Sequence, residues 1–321
     1  MRTILFLIWI MCVTIIRAQV VTSFPSLLIH ASSRGMGMGD AGIAASTGTQ
    51  QLLYNPAKTA FTQNFHEASV SYMPWLTGIS NDTRMMNASY IGSVGNGAFG
   101  LSLNYLRLGQ MDTRDENGAT LATYTAREYN LGGSFSLKLN DHHSLSTSFK
   151  FLAQNSYEPQ PVNIYTVCGD IGYYGFTELG DASNKLEWGA TITNLGAKKF
   201  NLPASAGVGV GYTKQSESSS FTVSLDAARL FNDDWKGVRY TAGVEYEYDE
   251  QFFLRGGVSL ENANKGNRKF FSFGAGYKGF VNDQSWNIDL HYLVPFGAVA
   301  GISPFQNSWG LTIGINIGNF Q

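Results

Sequence analysis

Trp309-Gly310-Leu311-Thr312-Ile313-Gly314-Ile315-Asn316-Ile317-Gly318 decides the fold. Trp309, Leu311, Ile313, Ile315 and Ile317 alternate with Gly310, Thr312, Gly314, Asn316 and Gly318, and Phe320 follows one residue before the last. A period of two puts each set on one face of a strand. One face is apolar and aromatic, the other small or polar, as in the lipid and lumen faces of a membrane barrel strand.

The same alternation recurs upstream. Tyr240, Ala242, Val244, Tyr246 and Tyr248 alternate with Thr241, Gly243, Glu245, Glu247 and Asp249. Phe271, Phe273, Ala275 and Tyr277 oppose Ser272, Gly274, Gly276 and Lys278. Extending this reading along the chain predicts strands over 66-76, 84-94, 97-108, 124-140, 143-154, 162-178, 184-196, 204-215, 219-230, 237-249, 252-261, 269-280, 284-293 and 308-319. That is an all-β, about 14-stranded transmembrane antiparallel β-barrel, and the even count fits the rule for bacterial single-chain barrels.

The connections agree. Gly95-Asn96, Asn140-Asp141-His142, Asp249-Glu250-Gln251 and Val281-Asn282-Asp283 are short polar turns at every second connection. Gly109 to Thr123, Asn155 to Pro161 and Val294 to Asn307 read as longer outer loops. A secreted β-sandwich is the competing architecture, and it explains neither the aromatic runs nor the loop asymmetry.

Composition narrows the class. The 321 residues are 44% hydrophobic, 13% aromatic and only 14% charged, with 36 Gly and 8 Pro. Soluble domains average about 25% charged residues. The 22 Lys+Arg against 24 Asp+Glu leave a formal charge of −2. No basic excess exists to neutralise phosphates, so a nucleic-acid partner is excluded.

The domain reading is 1-18 signal peptide, 19-65 N-terminal plug segment and 66-321 barrel. Arg2 precedes an apolar run from Ile4 to Ile16, and Ile16-Arg17-Ala18 offers a small residue for cleavage. The run is about 13 residues, against about 20 for a spanning helix. An uncleaved anchor helix is the competing reading. Removal of Cys12 leaves Cys168 without a partner for a disulfide.

Residues 24-65 lack the strand rhythm. Gly35, Gly37 and Gly39 permit close backbone approach. Asn55-Pro56 starts a turn or short helix, with Asn as cap and Pro in the first turn. A nucleotide loop is excluded, because no Lys-Ser/Thr pair and no βαβ pattern accompany the glycines. Arg34 and Asp40 are expected to pair with charges on the polar faces of the strands, since buried charges need partners.

Ser33-Arg34-Gly35-Met36-Gly37-Met38-Gly39-Asp40-Ala41-Gly42, then Tyr54-Asn55-Pro56-Ala57-Lys58, then Val70-Ser71-Tyr72-Met73-Pro74-Trp75-Leu76 resemble the PorV (LptO) family of the type IX secretion system. The layout is more broadly similar to the FadL long-chain fatty-acid transporters, fourteen-stranded barrels with an N-terminal plug. The resemblance implies the outer membrane of a Gram-negative bacterium. It also implies partners: a secreted cargo protein, bound through its C-terminal β-sandwich signal domain, the type IX translocon barrel and outer-membrane lipid.

No residues suggest an enzyme, a metal site or a cofactor. His142-His143 reads as a solvated turn, and Asp233-Asp234 lacks the spaced oxygen ligands of a calcium loop. Partner-binding candidates lie on the outer loops. Val294 to Asn307 carries Phe296, Val299, Ile302 and Phe305 and no charge. An apolar stretch of this kind marks either a partner contact or a cap folded over the barrel mouth. Trp235 is a possible aromatic anchor, and Met111, read as part of the loop after strand three, is a further candidate. A hydrophobic-small-molecule channel of FadL type is the second functional reading, and it requires an apolar path past the plug.

Overall fold

The computed structural model describes residues 23–317, except 63–65, 78–79, 81, 159, 181–182, 232–236, 263–265, 267, 282–283 and 298–302. Fourteen antiparallel strands close on themselves. They are β1 (His66–Pro74), β2 (Arg84–Val94), β3 (Gly97–Arg114), β4 (Thr120–Lys138), β5 (His143–Glu158), β6 (Gln160–Glu178) and β7 (Asn184–Gly196). The second half comprises β8 (Ser205–Gln215), β9 (Ser219–Leu230), β10 (Arg239–Tyr248), β11 (Phe252–Leu260), β12 (Phe270–Val281), β13 (Gln284–Pro295) and β14 (Trp309–Ile317). Each strand pairs with its neighbours in sequence, and β1 closes on β14 from His66↔Ile317 to Tyr72↔Leu311. Closure satisfies every ladder edge, which a membrane wall requires because lipid offers no hydrogen bonds. No helix among the described residues is long and apolar enough to cross a membrane; the strands cross instead.

The alternation sorts the faces as the sequence implied. Val70, Leu101, Leu131, Phe149, Ile171 and Phe273 lie exposed on the outside, whereas Asn87, Asn104, Asn130, Ser146, Thr191 and Ser272 are buried in the lumen. Aromatic rings mark both edges of the outer apolar belt. At the long-loop end Tyr72 meets Trp309 at 6.0 Å and Tyr105 meets Tyr129 at 5.0 Å between centroids. At the short-turn end Tyr277 meets Trp286 at 5.5 Å. Such girdles sit at the two membrane surfaces, and the short turns face the periplasm.

Three loop expectations are corrected. Gly109 to Thr123 is largely strand: β3 runs to Arg114 and β4 starts at Thr120. Met111 is therefore a strand residue of this hairpin, and it is 48% exposed. From Tyr105 to Arg114 the hairpin carries roughly 30 Å of strand beyond the outer girdle, measured along the chain at about 3.3 Å per residue. Its root is anchored where Gly109 N–H donates to Thr83 Oγ1 (3.0 Å) and Gln110 N–H to Asp82 Oδ2 (3.1 Å). Asn155 to Pro161 is likewise mostly strand, with β5 ending at Glu158 and β6 starting at Gln160. The third is Val294 to Asn307: β13 continues to Pro295, and the descending part turns inward.

The lumen also departs from a uniformly polar interior. Inward-facing Met73, Met85, Leu106, Phe270 and Leu293 join Ile29, Met36, Trp75 and Phe305 in a buried apolar layer below the outer mouth. A second cluster of Phe24, Leu152, Cys168 and Leu202 lies beside it. Polar walls therefore give way to buried apolar clusters toward the outer mouth.

Candidate functional site

The lumen is filled by residues 24–62, folded as short turns and two helices, α1 (Ser33–Gly37) and α2 (Gln51–Tyr54). α1 lies against β11 to β14, and the 3-10 segment Pro56–Phe61 lies against β2 to β6. The plug thus spans the bore from wall to wall. Ser32 caps α1 by accepting from Gly35 N–H (3.4 Å). Asn55 caps Pro56–Phe61 by accepting from Ala57 N–H (3.2 Å), with Pro56 in the first turn where no amide is needed.

The glycines of Arg34-Gly-Met-Gly-Met-Gly-Asp each meet a different surface. A methyl at Gly35 would overlap the Tyr54 ring, and one at Gly37 would sit 3.1 Å from Gly274 Cα. At Gly39 it would fall 2.5 Å from Val258 N and 2.7 Å from Ala242 O. Gly39 also has φ +72, in the region where a side chain is strained. Met36 and Met38, between them, are buried.

Charges fasten the plug. Arg34 grips Glu245 with two hydrogen bonds, Nε to Oε2 at 2.8 Å and Nη2 to Oε1 at 2.5 Å. Arg34 Nη1 donates to Ala45 O (2.9 Å). Glu245 also accepts from Arg255 Nε (2.5 Å), and Arg255 Nη1 reaches Asp289 Oδ1 (2.5 Å). The result is a buried alternating chain from plug to β10, β11 and β13. Bidentate arginine–carboxylate pairing is the geometry that offsets the loss of water.

Asp40 forms the second fastening. It accepts from Tyr54 OH (2.7 Å), sits 2.8 Å from His30 Nδ1, and pairs with Arg239 of β10. Burial alone would raise the Asp40 carboxyl, but His30, Arg239 and Tyr54 hold it well below the usual carboxylate range. Across the bore, Lys58 Nζ donates to Glu187 Oε1 (2.6 Å) and Ala44 O (2.8 Å), and Tyr174 OH donates to the same Glu187 oxygen (2.5 Å). Asn55 Nδ2 donates to Ile43 O (3.1 Å) and to Tyr173 O of the wall (2.9 Å). Asp226 Oδ2 accepts from Gly42 and Ile43 N–H at 2.6 and 2.9 Å.

Arg34, Gly37, Gly39, Asp40, Asn55 and Pro56 are thus brought together in one buried body. The partners on the wall were not singled out from the sequence. A signal did exist, because Glu187, Asp226, Glu245, Arg255 and Asp289 are charged residues at the inward positions of membrane strands. Such residues face the interior and need a counter-charge.

The outer-rim candidates separate. Phe305 is 3% exposed and packs on Phe270 at 5.1 Å, inside the apolar layer. Its segment is pinned there by Leu76 N–H to Pro304 O (3.2 Å) and Thr77 Oγ1 to Gln306 O (2.7 Å). Phe305 is therefore a cap residue and not a surface contact, because an apolar ring gains more under the mouth than in water. Replacing Phe305 with Ala is expected to cost about 3 kcal/mol, read as a lower unfolding midpoint in urea. Phe296 stays half-buried, stacked on Phe271 at 4.5 Å. Val299, Ile302 and Trp235 lie outside the described residues.

Residues 14–202, more than half of the chain, match the sequence model of the type IX secretion system protein PorV. No curated protein sequence matches this chain. Solved structures share its fold. The toluene transporter TodX of P. putida superposes with a TM-score of 0.59 at 12% identity, over 91% of this chain and 99% of that one. The toluene transporter TbuX of Ralstonia pickettii gives 0.57 at 10% identity, over 90% and 98%. The monoaromatic hydrocarbon channel CymD gives 0.58 at 12%, over 92% and 99%. At such identities the likeness carries the fold alone, a closed antiparallel barrel. The family comes from the sequence match, and by it the chain belongs to the PorV family of type IX secretion system proteins.

Proposed function

We propose that this barrel receives exported proteins on its extracellular rim, through a C-terminal β-sandwich signal domain of the cargo, and meets the translocon barrel of the type IX pathway. It then acts as a shuttle or a surface anchor. The supporting observation is the locked plug. With Arg34, Asp40, Asn55 and Lys58 all tied to the wall and a buried apolar layer above them, the plugged bore offers cargo no passage. Recognition then falls to the outer surface, where the β3–β4 hairpin projects with Met111 and Leu121 exposed. Phe296, Trp235, Val299 and Ile302 belong to the same proposed surface.

The test is a mild-detergent pull-down of the tagged protein from its host, with mass spectrometry of what accompanies it. Recovery of a large surface protein ending in a β-sandwich domain, or of the translocon, supports the reading. Recovery of neither sinks it. Met111→Ala and Phe296→Ala are each expected to weaken cargo capture by about 5-fold or more, the scale of an interface anchor. Equal capture by both variants would remove these residues from the surface.

A hydrophobic-small-molecule channel is the second reading, favoured by the fold shared with TodX, TbuX and CymD. Two cavities in the bore weigh against it. One of about 80 Å³ mixes His30, Asp40, Asp226 and Arg239 with Leu27, Leu28, Ile43 and Leu53, and one of about 320 Å³ includes Arg34, Glu67, Glu245, Lys278 and Asp289. Both present charge where an apolar solute would need hydrocarbon. Uptake of labelled fatty acid by liposomes containing the protein, above empty liposomes, would favour the channel.

A further inference from the structure

A depression of about 350 Å³ lies in the outer wall between β8 and β11. Its floor is made by Ala227 and Ala242, and its rim includes Val208, Leu225, Tyr240 and Leu260. The pairing explains the hollow. Ala227 stands between Tyr240 and Val208, and Ala242 between Leu225 and Val258. Two methyl groups therefore sit among much larger neighbours on the lipid-facing side.

The inner side of this patch is unusual too. Gly209, Gly243 and Gly257 face inward, and the plug backbone at Met38 and Gly39 presses on the last two. A methyl at Gly209 would meet Ile43 Cβ at 2.8 Å. Only one thickness of backbone separates the plug from the outside, and the plug braces that backbone from behind. The hollow is thus a rigid groove and not a flexible gap between side chains.

We propose that this groove binds one acyl chain of an outer-leaflet membrane lipid. Its place sets the ligand class. Tyr240 lies one residue from the outer end of β10, whereas Tyr246 and Tyr248 lie toward the short turn, so the groove occupies the outer half of the apolar belt. In that layer only lipid chains or another membrane protein can cover it. A stable protein interface needs a broad face of about 1,000 Å² or more, whereas a hollow framed by four strands matches the width of a single chain. Lipid tails gain nothing from leaving lipid for an apolar wall, so retention depends on close packing. A chain on a flat wall touches protein on one side. In this groove it touches the floor and both rims, so more of its atoms find close partners.

The test is native mass spectrometry of the protein purified from its own outer membrane in mild detergent. The variants are Ala227→Leu with Ala242→Leu, which fills the groove, and Ala88→Leu, which enlarges an exposed residue on the distant strand β2. Folded barrel is scored separately by heat-modifiable gel migration. Wild type and Ala88→Leu are expected to retain one lipid, and the filled variant about tenfold less. If the double variant does not fold, Ala227→Val and Ala242→Val give the same reading with smaller side chains. Undiminished lipid in the filled variants, a retained species that is not a lipid, or no retained lipid in wild type overturns the proposal.

Discussion

Glu245→Ala is expected to destabilise the folded barrel by roughly 3–5 kcal/mol. The substitution strips both Arg34 and Arg255 of a carboxylate, and both guanidinium groups are buried. Arg255 keeps Asp289, but among the described residues Arg34 keeps only the Ala45 carbonyl. A buried cation with one neutral partner must draw in water or pull its segment away from the wall. The check is urea unfolding in detergent together with limited proteolysis of the plug. Cleavage within residues 24–62 while the barrel stays protected would show that the plug leaves first. A midpoint within error of wild type would show that the ion chain does not hold the plug. Glu245→Gln keeps a hydrogen-bond acceptor and is expected to cost less, which separates charge from packing.

Gly39→Val is expected to have an effect of similar size, by a different cause. The residue holds φ +72, which costs a side chain about 1–2 kcal/mol. Its new Cβ would also lie 2.5 Å from Val258 N and 2.7 Å from Ala242 O, backbone atoms of two paired strands that cannot rotate away. Overpacking of this kind adds about 1–3 kcal/mol. The neighbouring hydrogen bonds from Gly39 N–H to Ser272 Oγ (2.8 Å) and from Ser272 Oγ to Gly37 O (2.9 Å) would break as the turn shifts. Heat-modifiable migration and proteolytic protection of the plug are the readouts. A variant with a fully protected plug would mean that the β10–β11 wall yields, contrary to its close ladder. Gly118→Val is the control: Gly118 also has positive φ, but open space surrounds it at the hairpin turn, so only the local strain remains.

The strands were legible because the signal for them is local. Tyr240 to Asp249 alternates within one strand, and the structure places β10 over Arg239–Tyr248. The outer hairpin was missed for an equally physical reason. Above the membrane both faces of a ribbon meet water, so Gln110-Met111-Asp112-Thr113-Arg114 carries no alternation. Hydrogen bonding alone keeps it extended, from Gln110↔Thr125 to Arg114↔Thr120. Phe305 was ambiguous because an apolar loop reads the same whether it meets a partner or its own barrel. The Pro304 and Gln306 carbonyls, tied to Leu76 and Thr77, turn it inward.

By itself the sequence determined the number of strands, the assignment of lipid and lumen faces, and the presence of a glycine-rich segment unable to be a strand. All of these rest on spacing between near neighbours. The tertiary structure alone decided which charges meet. Arg34 and Glu245 are 211 positions apart, and Arg239 lies 199 from Asp40. Only closure of β1 on β14 around the plug puts them within hydrogen-bond reach. The same closure places Ala227 and Ala242 outside, with Gly39 pressed behind Ala242 inside, and so makes a braced groove from residues that along the chain are only small. Periodicity fixes which way a side chain points; the closed ladder and the plug's path fix what it meets there.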